Sequence, residues 1–264
     1  THTDAAGNSG SAPANVSKNT IDPNTSITSQ PANPTNSPPA TFNFTATETA
    51  TFQCRVLPAA FGACSGSGTH TATGLAAGSQ TFEVRATDAA GNTDATPASY
   101  TWTIDTTAPN TTIDSAPASI SGSSSATFTF SSNEGGSTFE CQIDGGGFSA
   151  CTSPRMYTGL AEGSHTFDVR ATDPAGNTDA TPASHSWTID TIRPTVNITA
   201  GPTEGSFVSS TSATFTVTSS ESSTICWQFN GGTQSCSGAG VTTAMPSASS
   251  LPQGANSFSV CASD

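Results

Sequence analysis

The sequence is short of charged residues, and of basic residues above all. Its 264 residues include six Lys and Arg against 19 Asp and Glu, which gives a net charge of −13 and a charged fraction of 9%. A soluble domain usually carries about 25% charged residues. Because the neutralisation of phosphates requires clustered Lys and Arg, we expect no nucleic-acid binding.

Large apolar residues and long apolar runs are scarce as well. Leu, Ile, Val and Phe make up 14% of the chain, below the roughly 20% at which a strongly charged chain is suspected of disorder. The low charged fraction argues against disorder. No apolar stretch approaches the about 18 residues that indicate a membrane-spanning helix, so we expect no membrane span.

What the chain does contain is a repeat. The block from Gly74 to Thr106 recurs almost unchanged from Gly159 to Thr191, and a looser third copy ends at Asp264. Three copies of a unit of about 87 residues account for nearly the whole sequence, which predicts three domains.

Each unit shows the pattern of short strands between turns. Phe128 and Phe130 alternate with Thr, and Phe167, Val169 and Ala171 share one face of a second segment. This period of two is typical of half-buried strands, and no window has helical spacing. About seven strands in fewer than about 100 residues predict an all-β fold of tandem immunoglobulin-like β-sandwiches.

The frame of the repeats sets the predicted domain boundaries. Residues 1–22 align with the end of a unit, and the third unit stops before its last strand. Short links that contain Pro109 and Pro194 predict a stiff or semi-stiff array. The predicted parts are a terminal strand of a preceding or neighbouring domain (1–22), two complete sandwiches (23–105 and 106–190) and a third that lacks its last strand (191–264).

An incomplete third sandwich exposes a strand edge, which is an aggregation liability unless another strand fills it. We expect residues 9–22 of one copy to complete the third sandwich of the next, head to tail. Chain continuity in a longer polypeptide is the alternative, and both stay open. The predicted contact residues are Ala14, Val16, Lys18 and Ile21 on the segment and Phe258 and Val260 on the sandwich.

The seven cysteines form three pairs and one remainder. Each pair is separated by ten residues and spans a hairpin turn, so we predict the disulfides Cys54–Cys64, Cys141–Cys151 and Cys226–Cys236. Such bridges indicate a compartment outside the reducing cytosol. Cys261 is left over, either as a buried thiol or as a bond to another chain.

The motifs STFECQIDGGGFSACTSP and GLAEGSHTFDVRATDPAGNTDATPASHSWTIDT, with the joining DTTAP, resemble the tandem immunoglobulin-like domains of large bacterial surface and secreted proteins. The resemblance covers the first two units well and the third loosely. It implies an extracellular or cell-surface location, in a stalk, an adhesin or a filament made of many modules.

Acidic residues recur in the turn before the last strand and near the links between units. In such turns, Asp and Asn side chains cap backbone N–H groups. Related bacterial arrays bind calcium near domain junctions, so calcium is the alternative, although the ion needs six to eight oxygens and no local loop supplies them. The candidate ligands are Asp88, Asp94, Asp105, Asp173, Asp179 and Asp190.

We expect no enzymatic activity and no other cofactor. No nucleophile-elbow, phosphate-loop or zinc motif accompanies the four histidines. Trp102 and Trp187 each lie in the last strand of a unit, where large and polar residues alternate. This alternation favours core packing over a ligand platform. The predicted function is a structural segment of an extracellular bacterial filament or stalk whose partners are copies of itself. The alternative is an adhesin module that binds glycans or another surface.

Overall fold

The computed structural model describes residues 2–3, 5–7, 9–10 and 18–264. These residues form strands and turns and contain no helix, which confirms the all-β prediction. Among them there is accordingly no apolar helix long enough to cross a membrane. Ala14 and Val16 of the predicted complementation segment lie outside the described residues.

The leading segment repeats a turn found in the first two sandwiches. Strands β1 (His2–Thr3) and β2 (Ser9–Gly10) pair antiparallel, with Thr3 opposite Ser9. Thr87 pairs with Thr93, and Thr172 with Thr178, in the same way. The turn before the last strand therefore closes locally wherever its motif occurs.

The first sandwich has seven strands in two sheets. One sheet has the order β3-β4-β7 and the other β6-β5-β8-β9. Its strands are β3 (Thr25–Ser29), β4 (Ala40–Ala46), β5 (Ala50–Val56), β6 (Gly62–Ala63), β7 (Thr69–Ala72), β8 (Gly78–Asp88) and β9 (Ala98–Ile104).

The second sandwich repeats this plan and adds one short strand. Its sheets have the orders β10-β12-β15 and β11-β17-β16-β13-β14. The strands are β10 (Thr111–Ser115), β11 (Ile120–Ser121), β12 (Ala126–Ser132), β13 (Thr138–Ile143), β14 (Ser149–Cys151), β15 (Arg155–Tyr157), β16 (Gly163–Thr172) and β17 (Ala183–Ile189).

The third sandwich is built around one long strand. β20 pairs with β18 and β22 near its start and with β21 and β24 near its end, so it belongs to both sheets. The strands are β18 (Val196–Ala200), β19 (Ala213–Thr214), β20 (Thr216–Phe229), β21 (Ser235–Cys236), β22 (Val241–Ala244), β23 (Ser247–Ala248) and β24 (Phe258–Ser263).

By compactness the chain divides into two units. The first runs through the described residues up to Ala118 and includes Ser125–Thr158 and Ser164–Trp187. The second comprises Ser119–Ser124, Gly159–Gly163 and Thr188–Asp264. The domain boundaries expected at residues 105 and 190 stay predictions.

A pair of stacked phenylalanine rings forms the centre of each of the first two cores. Phe42 and Phe82 stack with ring centroids 4.0 Å apart, and Phe128 and Phe167 do so at the same distance. The two sheets supply one ring each, so the stack joins them. The period of two predicted this inward face, where Phe167, Val169 and Ala171 are all fully buried.

The two tryptophans of the last strands belong to these cores. Trp102 and Trp187 are 0% and 2% exposed. Each ring meets the central phenylalanine edge-on, Phe42 or Phe128, at 5.2 Å. The core interpretation of Trp102 and Trp187 is therefore confirmed.

We expect Phe128→Ala to lower the free energy of unfolding of the second sandwich by about 3–5 kcal/mol, because it removes half of the central stack and leaves a cavity. Thr127→Ala, at the exposed neighbouring position, is the control and is expected to change it by less than about 0.5 kcal/mol. Denaturant unfolding followed by Trp187 fluorescence measures both, with Trp102 and Trp227 replaced by Phe throughout. Equal effects would contradict the assignment of the core.

Candidate functional site

Two buried aspartates tie the first strand of a sandwich to the turn before its last strand. Asp179 is 3% exposed. Its Oδ2 accepts a hydrogen bond from the backbone N–H of Thr111 at 2.9 Å, and its Oδ1 accepts from the backbone N–H and the hydroxyl of Thr181. Asp94 makes the same contacts with Thr25 and Thr96 in the first sandwich.

These hydrogen bonds control the ionisation of the buried carboxyl. Burial alone acts to raise the pKa of Asp179, because it penalises the charged form. The donors on Thr181 and Thr111 outweigh burial and hold the pKa of Asp179 below its ordinary value. Asp179 is therefore charged at neutral pH and works as a structural acceptor.

A second pair of aspartates closes the turn itself. Asp173 accepts hydrogen bonds from the backbone N–H and the side-chain amide of Asn177, both at 2.8 Å. Gly176 follows with a φ of +95°, which glycine adopts without steric cost. Asp88 accepts from both groups of Asn92 in the same arrangement. These contacts are those of Asx turns, the first of the two interpretations above.

The same turn holds the link that precedes its sandwich. The side-chain amide of Asn177 also donates to the backbone carbonyl of Asp105, at 2.8 Å. The backbone N–H of Asn36, in the first sandwich, donates to the carbonyl of Ala175 at 3.1 Å. The junction between the first two sandwiches therefore has direct hydrogen bonds beside the covalent link.

Asn19 occupies the corresponding place before the first sandwich. Asn92 donates to its backbone carbonyl at 3.3 Å, and the Asn19 amide donates to Asp88 at 2.8 Å. The shared letters TID would instead pair Asp22, three residues later, with Asp105. Ile21 consequently lies in the link, 72% exposed and outside any strand.

The predicted complementation contacts can be located only in part. Lys18 is exposed and, like Ile21, lies outside any strand. Phe258 and Val260 lie on β24, half-buried, facing Phe229 and Trp227 of β20. Their contact with a segment of another copy stays a prediction.

Three carboxylates meet at the junction of the first two sandwiches. Asp105, Glu134 and Asp173 each place one carboxylate oxygen within 4.8 Å of the others. Asp173 is buried, and the other two are half-buried. Of the six predicted calcium ligands, the structure brings Asp105 and Asp173 together in this group.

In the third sandwich, Glu221 occupies the place of Glu134. Burial raises the pKa of Glu221, and the negative charges of Asp190 and Asp264 raise it further. One carboxylate oxygen of Glu221 is buried without a hydrogen-bond partner in the described part of the chain. The sequence analysis did not single out Glu134 or Glu221. A Glu nevertheless follows the segment that begins with ATF in every unit, at positions 48, 134 and 221.

The three hairpin disulfides join Cys54 to Cys64, Cys141 to Cys151 and Cys226 to Cys236. The seventh cysteine, Cys261, is a free thiol on an exposed position. The expectation that it is a buried thiol is therefore wrong. It stands on the outward face of β24, between the inward residues Val260 and Ala262.

Several solved structures are similar to parts of this chain. CbhA fibronectin(III)-like modules of Clostridium thermocellum share 17% identity at a TM-score of 0.38, over 62% of this chain and 93% of that one. A calcium-stabilised adhesin with which an Antarctic bacterium binds ice has 20% identity and a TM-score of 0.36, over 86% and 68%. A 1.5-MDa bacterial ice-binding adhesin has 15% identity and a TM-score of 0.36, over 85% and 88%.

No family model matches the sequence, and no curated protein matches it either. The three structural similarities above have TM-scores below 0.4 and identities of 20% or less. Similarity at this level carries no information about a ligand or an activity.

We expect Asp179→Ala to destabilise the second sandwich by about 1.5–3 kcal/mol, because the Thr111 N–H loses a charged acceptor. The lowered pKa means that this stabilisation is present above the ordinary Asp pKa of about 3.9 and is lost as the pH falls through it towards the lowered value. Unfolding at neutral and acid pH measures it. The variant should lose less stability on acidification than the parent, whereas exposed Asp114→Ala should behave like the parent.

Calcium binding at the three-carboxylate group stays a prediction, which Glu134→Gln tests. If a calcium ion binds there, Glu134→Gln is expected to lower the Tm when calcium is present and to leave it no lower when a chelator is present. Without a cation, the substitution raises the Tm in both conditions, because it removes one of three mutually repelling charges. A Tm of the parent chain that a chelator leaves unchanged excludes calcium.

Proposed function

We propose that the chain is a structural segment of an extracellular bacterial filament or stalk, joined head to tail by a strand that completes the third sandwich. The observation that carries the proposal is the open edge of β24. In the first sandwich β8 is paired on both sides, by β5 and β9. Among the described residues, β24 is paired by β20 alone.

The open edge leaves part of a core uncovered. Phe82 and Val84 of β8 are fully buried, as are their counterparts Phe167 and Val169 of the second sandwich. Phe258 and Val260 of β24 have the same pattern but are only half-buried. The apolar face is therefore present, and no strand among the described residues covers its open side.

The first sandwich shows what the covering strand supplies. β9 pairs with β8 from Gly78 opposite Ile104 to Val84 opposite Ala98, and its Trp102 and Ile104 are buried. A strand with apolar residues at alternate positions would fill the edge of β24 in the same way. Either residues 9–22 of a neighbouring copy or a continuation of the same polypeptide would supply this strand.

Other features suit a load-bearing extracellular role. Disulfides persist in oxidising compartments, and each of the three sandwiches contains one. Hydrogen bonds reinforce the junction of the first two sandwiches. Six basic residues in 264 offer little to charged partners. These features support a fibre over an enzyme or a carrier of charged ligands.

The proposal is tested by filling the edge within the chain. Residues Pro174–Asp190 contain the last strand of the second sandwich, and Asp264 corresponds to Asp173, so this segment is appended after Asp264. We expect the appended chain to gain about 3 kcal/mol in the third sandwich by burying Trp and Ile. In analytical ultracentrifugation we expect the parent chain to self-associate as its concentration rises, and the appended chain to stay monomeric.

In the control, the appended copy of Pro174–Asp190 carries Trp187→Ser and Ile189→Ser, and the second sandwich itself is unchanged. This control should gain neither stability nor a monomeric state. A parent that stays monomeric while the appended segment still stabilises it favours chain continuity over donation between copies. No gain from the intact segment contradicts strand complementation. Saturable glycan binding by a monomer that the segment does not stabilise would favour the adhesin alternative.

A further inference from the structure

Three cysteines lie in one row on the outer face of the third sandwich. Cys226 on β20 is directly opposite Cys236 on β21 and, on its other side, directly opposite Cys261 on β24. Directly opposed residues of antiparallel strands point to the same face, with Cβ atoms about 4.5–5.5 Å apart. Cys226 therefore has two possible disulfide partners at similar range.

The row arises because the third sandwich places its hairpin cysteine one position earlier. Cys141 faces inward opposite Val169, and the inward residue opposite Val260 is Trp227. The positive-φ residues of the two hairpins, Asp144 and Asn230, are 86 residues apart, whereas Cys141 and Cys226 are 85 apart. Cys226 thus corresponds to Glu140, the outward residue before the inward cysteine.

In the other sandwiches a polar pair occupies the place of Cys226 and Cys261. Glu140 is opposite Arg170 and bonds it at 2.8 Å, and Gln53 is opposite Arg85 and accepts from it at 2.8 Å. Replacement of such a pair by two cysteines puts two sulfur atoms where a cross-strand contact already exists.

The surroundings keep the Cys261 thiol near the bridge. The side-chain amide of Gln234, two residues before Cys236, lies 3.5 Å from the Cys261 sulfur as a donor. Cys226, Gln234 and Cys261 line one shallow cleft. Cys236 and Cys261 are exposed. By contrast Cys54 and Cys141 are 4% and 3% exposed, which shields those bridges from a thiol.

We propose that Cys226 is a shared partner and that the third sandwich exchanges its bridge between Cys226–Cys236 and Cys226–Cys261. The Cys261 thiolate attacks the sulfur of Cys226, and the bond between Cys226 and Cys236 breaks as the new bond forms. Cys236 leaves as a thiolate and takes up the proton that Cys261 gave up. The exchange consumes no oxidant or reductant.

The two bridges constrain different parts of the sandwich. Cys226–Cys236 closes a hairpin, whereas Cys226–Cys261 fastens β24 to the long strand β20 and leaves an exposed thiol on the hairpin. The exchange thus joins the edge strand β24 covalently to β20 and moves the free thiol from Cys261 to Cys236. It is independent of whether another strand fills the edge.

The unmodified chain provides the first test. It is kept at about pH 8.5, where an ordinary thiol is half ionised, and is then labelled with N-ethylmaleimide. Chymotryptic peptides are mapped without reduction, since residues 194–264 contain no Lys or Arg for trypsin. We expect label on Cys236 as well as on Cys261, together with a Cys226–Cys261 peptide. Label confined to Cys261, or Cys261 found only in a bridge between two chains, overturns the proposal.

Cys236→Ser provides the second test. In a glutathione redox buffer, the Cys226–Cys261 bridge is expected to form in most molecules. The matched control is Cys151→Ser, in which Cys141 faces Val169 and is expected to gain no bridge within its own sandwich. If Cys226 and Cys261 both remain labelled while circular dichroism shows a folded chain, the proposal fails. If Cys236→Ser does not fold, the mapping of the unmodified chain decides.

Discussion

The first two sandwiches depend on one contact, the stack of two phenylalanine rings that joins their sheets. With 14% of Leu, Ile, Val and Phe in the chain, few large side chains are available to each core. The stacked pair and the tryptophan against it are buried at the centre of each core. The remaining cohesion has to come from polar contacts and covalent bonds.

Buried aspartates supply much of that polar cohesion. Asp94 and Asp179 each satisfy donors from the first strand and from the turn before the last strand, which are distant in sequence. A charged acceptor with several donors is worth more than a neutral one, and its burial is offset by those donors. The acidic composition thus serves the interior of the sandwiches as well as their surface.

The parts of the structure that local periodicity determines could be predicted from the sequence. The strands, the inward face of Phe167 and Val169, and the core position of Trp102 and Trp187 follow from a period of two. Register between strands is different, because a single residue of offset moves a side chain to the opposite face. The outward position of Cys226 depends on such an offset, whereas the outward position of Cys261 follows from its alternation with Val260 and Ala262.

Contacts at the links between sandwiches could not be predicted from the sequence either. The sequence gives no reason to place Glu134 beside Asp105 and Asp173. These three residues come together only where the first two sandwiches pack against each other. In the link before the first sandwich, the letters TID pair Asp22 with Asp105. The hydrogen bond from Asn92 selects Asn19, three residues earlier.

The short span of the hairpin bridges bears on how such an array responds to a pulling force. Tension passes from the last strand of one sandwich through the link to the first strand of the next. Each bridge joins cysteines only ten residues apart, so it removes a small part of the releasable length. A sandwich that yields can still extend by about 3.4 Å for each remaining residue. The disulfides therefore strengthen the folded module while leaving most of its length free to absorb a sudden load.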